Sequence, residues 1–331
     1  MVEVCDLCKV FTRARHYGGR MGWLRSFVSR EVITKVAVDH ISFSIEEGEL
    51  VGYVGPNGAG KSTTIKMLTG VLVPTAGRVE VKGVVPYRER IWHTQHMGVV
   101  FGQRTQLWWD LPVIESFQLL RHIYRVPAAR YQENLAHFRS LLELDEFIHT
   151  PVRQLSLGQR MRADLAAAFL HDPDIVFLDE PTIGLDLVAK DRIREFVRDI
   201  NQERGVTVIL TTHDMADIES LCRRIMVIDS GQVILDGSQE EIRRRYGQKR
   251  VLVVDFEVEP GDFPGVPAEV QRRQGRRVWF QFSRERTTAA RVISAIGECC
   301  AIRDFAIEET GIEDIIRRIY QNGVGDRAGV L

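Results

Sequence analysis

No uninterrupted apolar run in the 331 residues approaches the ~18 needed to cross a bilayer, and mean hydropathy is slightly negative at −0.12. Neither sign of charge is in excess. Forty-four Lys and Arg face 45 Asp and Glu, which argues against a broadly basic surface for nucleic acid. The opening MVEVCDLCKV lacks the long apolar core of a secretory signal. The expectation is a soluble chain whose link to any membrane runs through a partner. Cysteine is scarce, and five residues suit a reduced cytoplasmic protein better than a disulfide framework. Cys5 and Cys8 make one CxxC, but no second CxxC or His pair completes a zinc set, so they read as neighbours on an N-terminal strand. Cys299 and Cys300 read the same way. His93 and His96, spaced i, i+3 on a possible helix with no evident third ligand, read as surface histidines.

What the chain does have is GPNGAGKST, residues 55–63. It matches the G-x-x-x-x-G-K-[ST] phosphate loop, in which glycines let backbone N–H groups point inward at phosphate oxygens. Lys61 can reach the β and γ phosphates, and the Ser62 hydroxyl can ligate Mg²⁺. Residues 50–54 read as a buried strand before the loop. Residues 64–69 read as a helix after it, ended by Gly70 and aiming its positive N-terminus at the phosphates.

Along the chain, residues 2–11, 36–45 and 50–54 read as strands. Between the first two lies a basic stretch with interspersed aromatics, Arg13 to Lys35. Its segment 23–28 suits either a short amphipathic helix against a membrane or partner, or an insertion packed on its own domain. Residues 79–86 read as a strand pair. From about 111 to 153 the periodicity is helical, with Phe117, Leu120, Ile123 and Tyr124, then Leu135, Phe138, Leu141 and Leu142. Residues 174–179 form an apolar run closed by carboxylates, as a strand buried on both faces should. Residues 206–212 form another strand and 225–235 a hairpin. After about 247 the chain reads as a small α+β domain: strands at 251–258, 278–282 and 301–307, and helices at 287–296 and 312–320. Loop residues fill 261–267, and the tail from 322 reads as frayed.

Four further features decide which phosphate-loop chemistry this is. Asp179 and Glu180 close the 175–178 strand, where open α/β sheets place ligand groups. There Asp179 can hold Mg²⁺ through water, and Glu180 can polarise an attacking water. Ser156, in the run 155–160 LSLGQR, is a good N-cap for a helix whose apolar face is Met161, Leu165, Ala168 and Phe169. His213 directly follows a strand, at the same edge as Glu180. Gln103 follows the strand of 97–100. Each of the last three carries little weight alone.

In this order, the set resembles the ATPase subunit of ATP-binding cassette (ABC) transporters over about residues 1–240. GPNGAGKST is similar to that family's Walker A motif, with Gly55, Pro56, Asn57, Gly58, Ala59, Gly60, Lys61, Ser62 and Thr63 at the nucleotide. Gln103 resembles the Q-loop glutamine, and LSLGQR the signature motif, with Ser156, Gly158 and Gln159 at the partner's nucleotide. IVFLDE resembles Walker B with its catalytic glutamate, Glu180. Residues 184–186 resemble the D-loop, with Asp186 at the nucleotide, and His213 the switch histidine.

The resemblance implies catalytic roles for Glu180, His213 and Gln103, and Mg²⁺ held at Ser62, Gln103 and Asp179. Two departures stand out. The signature usually reads LSGGQ, and Leu157 here implies altered packing rather than loss. The adenine-stacking aromatic is matched by Phe11, with Tyr17 as rival across the insertion.

The implied fold is α/β: a P-loop NTPase of ABC type, with a RecA-like core, an antiparallel β-subdomain and a helical subdomain, plus a small C-terminal α+β domain. The implied boundaries are 1–246 for the nucleotide-binding domain, with the basic insertion at 13–35 and the helical subdomain at about 104–160. The C-terminal domain takes 247–331. The implied function is ATP hydrolysis by two subunits, identical or sister, closed around two Mg-ATP. They power a separately encoded membrane permease, most simply an exporter, from the cytoplasmic face of the cell membrane. Trp108 and Trp109 suit either packing inside the helical subdomain or an apolar anchor for that permease. The alternatives are an import ATPase, or a soluble ABC ATPase acting on nucleic acid or ribosomes; the near-zero net charge leads to no expected nucleic-acid partner.

Overall fold

The computed structural model describes residues 1–14, 32–102, 104–246, 249–283, 286–308 and 311–321. Gln103, Tyr17, the segment 23–28 and the tail from 322 lie outside the described residues. The chain divides into two compact units, Met1–Asp236 and Gly237–Leu331.

The first unit contains two sheets. Strands β1 (Val2–Ala14), β2 (Val32–Ile45) and β4 (Ala76–Val81) form an antiparallel sheet in the order β2-β1-β4. The larger sheet uses β3 (Leu50–Val54), β5 (Met97–Phe101), β6 (Ile175–Asp179), β7 (Thr207–Thr211), β8 (Arg224–Asp229) and β9 (Gln232–Ser238). Its order is β5-β6-β7-β3-β8-β9, with the pairs from β5 through β8 parallel. All five residues of β3 and of β7 are buried, as strands covered on both faces must be.

Helix α1 (Lys61–Leu68) contributes Ile65, Met67 and Leu68 to a core that also holds Val4, Leu7 and Val79 of the small sheet and Tyr53, Phe177 and Ile209 of the large one. The expected strand pair at 79–86 is not formed. The chain leaves β4 through Lys82 and Gly83, both at positive φ, and returns only as far as a single bridge between Val81 and Val84.

The helices beyond β4 are α2 (Arg90–His96), α3 (Val113–Ile123), α4 (Ala128–Leu141) and α5 (Leu157–Phe169). Phe117, Leu120, Leu135, Phe138 and Leu142 are buried, so the 3.6-residue period marks the inward faces; Ile123, the last residue of α3, departs from it and is 57% exposed. His93 is not on the surface. It is 1% exposed, and its Nε2 lies 2.9 Å from the Leu68 carbonyl oxygen, which closes α2 onto the end of α1. Helices α6 (Leu187–Arg204) and α7 (Met215–Leu221) complete the unit.

The second unit has an antiparallel sheet, β11-β12-β10-β13, built from β10 (Lys249–Phe256), β11 (Glu269–Gln274), β12 (Arg277–Ser283) and β13 (Ile302–Glu308). Its helices are α8 (Gln239–Tyr246), α9 (Ala289–Cys299) and α10 (Ile312–Gln321). Leu252, Val254 and Phe256 of β10 pack with Val278, Phe280 and Phe282 of β12 and with Val292 and Ile296 of α9. That alternation is what a strand with one buried face requires. Helix α8 packs on α10 and so falls within this unit.

Candidate nucleotide site

Parallel pairing places the functional segments in one line. Phe101 of β5 is opposite Asp179 of β6, Asp179 opposite Thr211 of β7, and Thr211 opposite Tyr53 of β3. The next residues in each strand's direction are Gly102, Glu180, Thr212 with His213, and Val54 with Gly55. Four segments scattered over 160 residues of sequence thus emerge from one edge of the sheet, the C-terminal edge where α/β sheets bind ligands.

The loop from Gly55 to Gly60 wraps tightly. Gly60 has φ +112, and a Cβ there would lie 2.4 Å from the Ala37 carbonyl oxygen, so only glycine fits. Lys61 is 7% exposed, and its ammonium donates to the carbonyl oxygens of Gly55 at 2.6 Å and Pro56 at 3.2 Å. Burial lowers the Lys61 pKa, while the nearby Glu180 and Asp179 carboxylates oppose the shift. The loop opens into a cleft lined by Phe11, Lys35, Ala37, Asn57, Gly58, Gly60, Lys61, Ser62, Thr63 and Glu180. A second cleft shares Ser62 and Glu180 and adds Lys66, Gly102, Arg104 and Asp179.

The carboxylates are held in different ways. Asp179 accepts a 2.5 Å hydrogen bond from the Thr211 hydroxyl. Glu180 sits at φ +55, a left-handed conformation uncommon outside glycine, and its N–H donates to the Thr211 carbonyl at 2.8 Å. Gly102 allows this crowding, since a Cβ there would lie 2.4 Å from the Glu180 carbonyl oxygen. The His213 ring reaches the site from β7, with Nδ1 3.4 Å from Glu180 Oε1.

Ser156, Gly158, Gln159 and Asp186 line neither cleft. Ser156 caps α5 in a reciprocal capping box. Its hydroxyl accepts from the Gln159 N–H at 3.2 Å, and Gln159 Oε1 accepts from the Ser156 N–H at 3.0 Å. Leu157 packs over Gly184, where a Cβ would lie 3.1 Å from its Cδ2. Asp186 caps α6, accepting from the Ala189 N–H at 2.9 Å. Trp108 and Trp109 stay 39% and 51% exposed, with the Arg160 guanidinium 5.8 Å from the Trp109 ring centre.

Phe11, Lys61, Ser62, Thr63, Asp179, Glu180 and His213 therefore meet at one place, and a strip of signature and D-loop residues stands apart. Sequence reasoning passed over Lys35, which enters the cleft because it pairs across the sheet with Phe11. It also passed over Asp164, a buried carboxylate on α5 that accepts from the Thr105 hydroxyl at 2.8 Å and the Gln106 N–H at 3.1 Å. Only a register count for the first, and tertiary packing for the second, points to them. The site suits a magnesium-bound triphosphate: an inward-facing loop, a buried cation, a hydroxyl and a braced carboxylate for the metal, and a second carboxylate beside an imidazole. Among the described residues no helix is long and apolar enough to cross a membrane.

Comparison with known proteins agrees with this geometry. Residues 38–183 match the family model described as ABC transporter. The chain is 37% identical over 212 residues to the Nod factor export ATP-binding protein I of Ralstonia nicotianae, covering 63% of this chain and 64% of that one. It is 30% identical over 301 residues to the methionine import ATP-binding protein MetN 2 of Enterococcus faecalis, covering 87% and 84%. Among solved structures, the dimeric post-hydrolysis state of the ATP-binding cassette MJ0796 with ADP and Pi superposes with a TM-score of 0.60 at 26% identity, over 72% of this chain and 98% of that one. With a relative aligned along most of both chains and a solved cassette matched over nearly its whole length, this chain belongs to the ABC transporter family and is one of its ATP-binding, ATP-hydrolysing subunits.

Proposed function

We propose that the chain powers a separately encoded membrane permease as half of an ATPase dimer, stationed peripherally on the cytoplasmic face, and that the permease is an exporter. The observation that carries the dimer is the separation just described. Lys61, Ser62 and Glu180 share a cleft, while Ser156, Gly158, Gln159 and Asp186 line neither cleft on the same chain. A second subunit, identical or sister, would bring its own signature helix N-terminus to the triphosphate.

Within one chain the roles are these. The loop 55–63 and Lys61 bind and orient the phosphates, and Phe11 supplies a ring for the base. Ser62 and Asp179, with Gln103, would hold Mg²⁺, which neutralises phosphate charge when bound. Glu180 accepts a proton from the attacking water, and His213 orients Glu180 and the γ-phosphoryl oxygens as that group passes to water and ADP departs. The unit Met1–Asp236 acts as the motor, and Gly237–Leu331, which takes in α8, as an appended α+β domain.

Export is supported by the relative whose name states export, matched at 37% identity. Import is the second reading, favoured because the MetN 2 match covers 87% of a chain whose first unit holds 236 residues, and so extends into the second unit.

The test is a pull-down of tagged Glu180→Gln from gently solubilised membranes, with and without Mg-ATP. The expected result is a multi-spanning protein recovered in stoichiometric amount, whose cargo assay then fixes direction. Recovery with ribosomes or DNA alone would move the function to the non-transport class.

A further inference from the structure

Asp217, in the first turn of α7, is 0% exposed, and both of its oxygens are engaged. Arg194 of α6 donates to Oδ1 through Nε at 2.7 Å and Nη2 at 2.5 Å. The hydroxyls of Thr182 and Thr212 donate to Oδ2, the latter at 3.4 Å. Both threonines are 2% exposed. Two of these partners lie within two residues of an active-site group, and the third sits on the helix that Asp186 caps. Thr182 is two residues past Glu180, Thr212 directly precedes His213, and Arg194 lies two turns into the helix that Asp186 caps.

We propose that Asp217 is a positioning residue for hydrolysis: one buried carboxylate that fixes the Glu180 loop, the His213 loop and the Asp186-headed helix relative to one another. The proposal rests on the reading of Glu180 and His213 as the hydrolytic pair.

Stability alone does not account for such a group. Taking a carboxylate and a guanidinium out of water costs several kcal/mol before they attract each other, and apolar side chains of similar volume commonly hold such a site equally well. What the ion pair adds is direction. Glu180 stands at φ +55, a conformation that persists only where its surroundings impose it. The turn after it is tied backbone to backbone by bonds of Ile183 N–H to the Glu180 carbonyl at 3.4 Å and Leu185 N–H to the Thr182 carbonyl at 3.3 Å. The Glu180 N–H ties the start of this turn to β7, and the Thr182 hydroxyl ties it to α7.

On the histidine side, Thr212 Oγ1 also accepts from the Asp214 N–H at 2.9 Å, and Asp214 accepts from Lys190 of α6 at 2.5 Å. The residue after His213 is thus clamped to α6 as well. The Glu180–His213 distance of 3.4 Å is set by these buried ties, because the His213 ring itself is mostly exposed.

The experiment compares Thr182→Val, Thr182→Ser, Asp217→Asn and Glu180→Gln in the full chain, measuring kcat, KM, affinity for a fluorescent ATP analogue and thermal midpoint. Thr182→Val deletes one donor and leaves the Asp217–Arg194 pair in place, so it serves even where Asp217→Asn fails to fold. The expected result is a fall in kcat of about tenfold or more with KM and analogue affinity within about twofold, since loosened positioning acts on the reacting geometry rather than on binding. Thr182→Ser, which restores the hydroxyl, should recover kcat to within about threefold of wild type. A Thr182→Val protein that loses thermal midpoint but keeps its kcat, or whose KM rises in step with the loss, overturns the proposal and leaves Asp217 a structural residue. Wild-type turnover by Glu180→Gln would instead remove the underlying assignment of the hydrolytic pair, a failure read from that variant alone.

Discussion

Asp164 shows how one buried side chain sets a measurable pH response. It is 4% exposed, and burial raises its carboxyl to about 6, against opposing hydrogen bonds from Thr105 and Gln106 and the field of Arg160. The folded state therefore keeps a proton that the unfolded chain has already released. Stability from this group falls as pH rises from about 4 through 6, and the penalty is fully present above that. Both donors use Oδ1, which Asn also offers. Asp164→Asn should then stabilise the protein by on the order of 2 kcal/mol at pH 8, with the advantage shrinking as pH falls through about 6. Thermal melts of both proteins from pH 5 to pH 8 check this; parallel curves would show that the carboxylate is solvated in the folded state. At the same scale, Glu180→Gln removes the proposed proton acceptor while keeping size and hydrogen bonding. Hydrolysis should drop by about 10²-fold or more with ATP affinity retained, as measured by steady-state phosphate release alongside nucleotide titration.

At the scale of elements, the N-terminus of α5 carries two separable properties. The Ser156 hydroxyl satisfies an orphan helix N–H within the chain, and on the proposed dimer the same helix end would face a partner's nucleotide. Ser156→Ala should cost about 1 kcal/mol of stability through the lost cap. If the helix end also serves the partner's phosphates, ATP turnover should fall by more than the stability loss explains. Ser156→Asp restores the cap but adds a negative charge toward a phosphate, so it should recover the melt and not the activity. The pair of measurements isolates the cap from the catalysis.

This helix also marks what was legible in the sequence. Ser156, the apolar stripe Met161–Leu165–Ala168 and the buried run 175–178 are local patterns, and local physics writes them openly. Gly60 was legible as a phosphate-loop glycine and Gly102 only as composition; the close backbone approach to Ala37 and Glu180 that each permits belongs to the tertiary fold. His93 was misplaced to the surface because its acceptor, the Leu68 carbonyl, is 25 residues away. Strand β11 escaped notice because all six of its residues are exposed, so no apolar alternation announces it.

At the scale of the molecule, the proposed dimer makes each chain half of a closed site: Lys61, Ser62 and Glu180 share a cleft, while the capped N-terminus of α5 lines neither of the two clefts described. On that proposal Mg-ATP would act as part of the interface, and its γ-phosphate would be what the second chain's helix N-terminus recognises. Binding that exists only in the ATP state stabilises the dimer by mass action and is lost on hydrolysis. Glu180→Gln should accordingly run as a monomer with Mg-ADP and as a dimer with Mg-ATP, with the dimer dissociation constant lowered by about tenfold or more, or 1.4 kcal/mol. Light scattering behind size exclusion gives the mass directly. Lys61→Ala in the same background should stay monomeric, because the nucleotide that bridges the chains no longer binds. A monomer under both nucleotides, with ATP demonstrably bound, would mean that the matching signature helix comes from a sister subunit, since one chain cannot supply both faces of its own site.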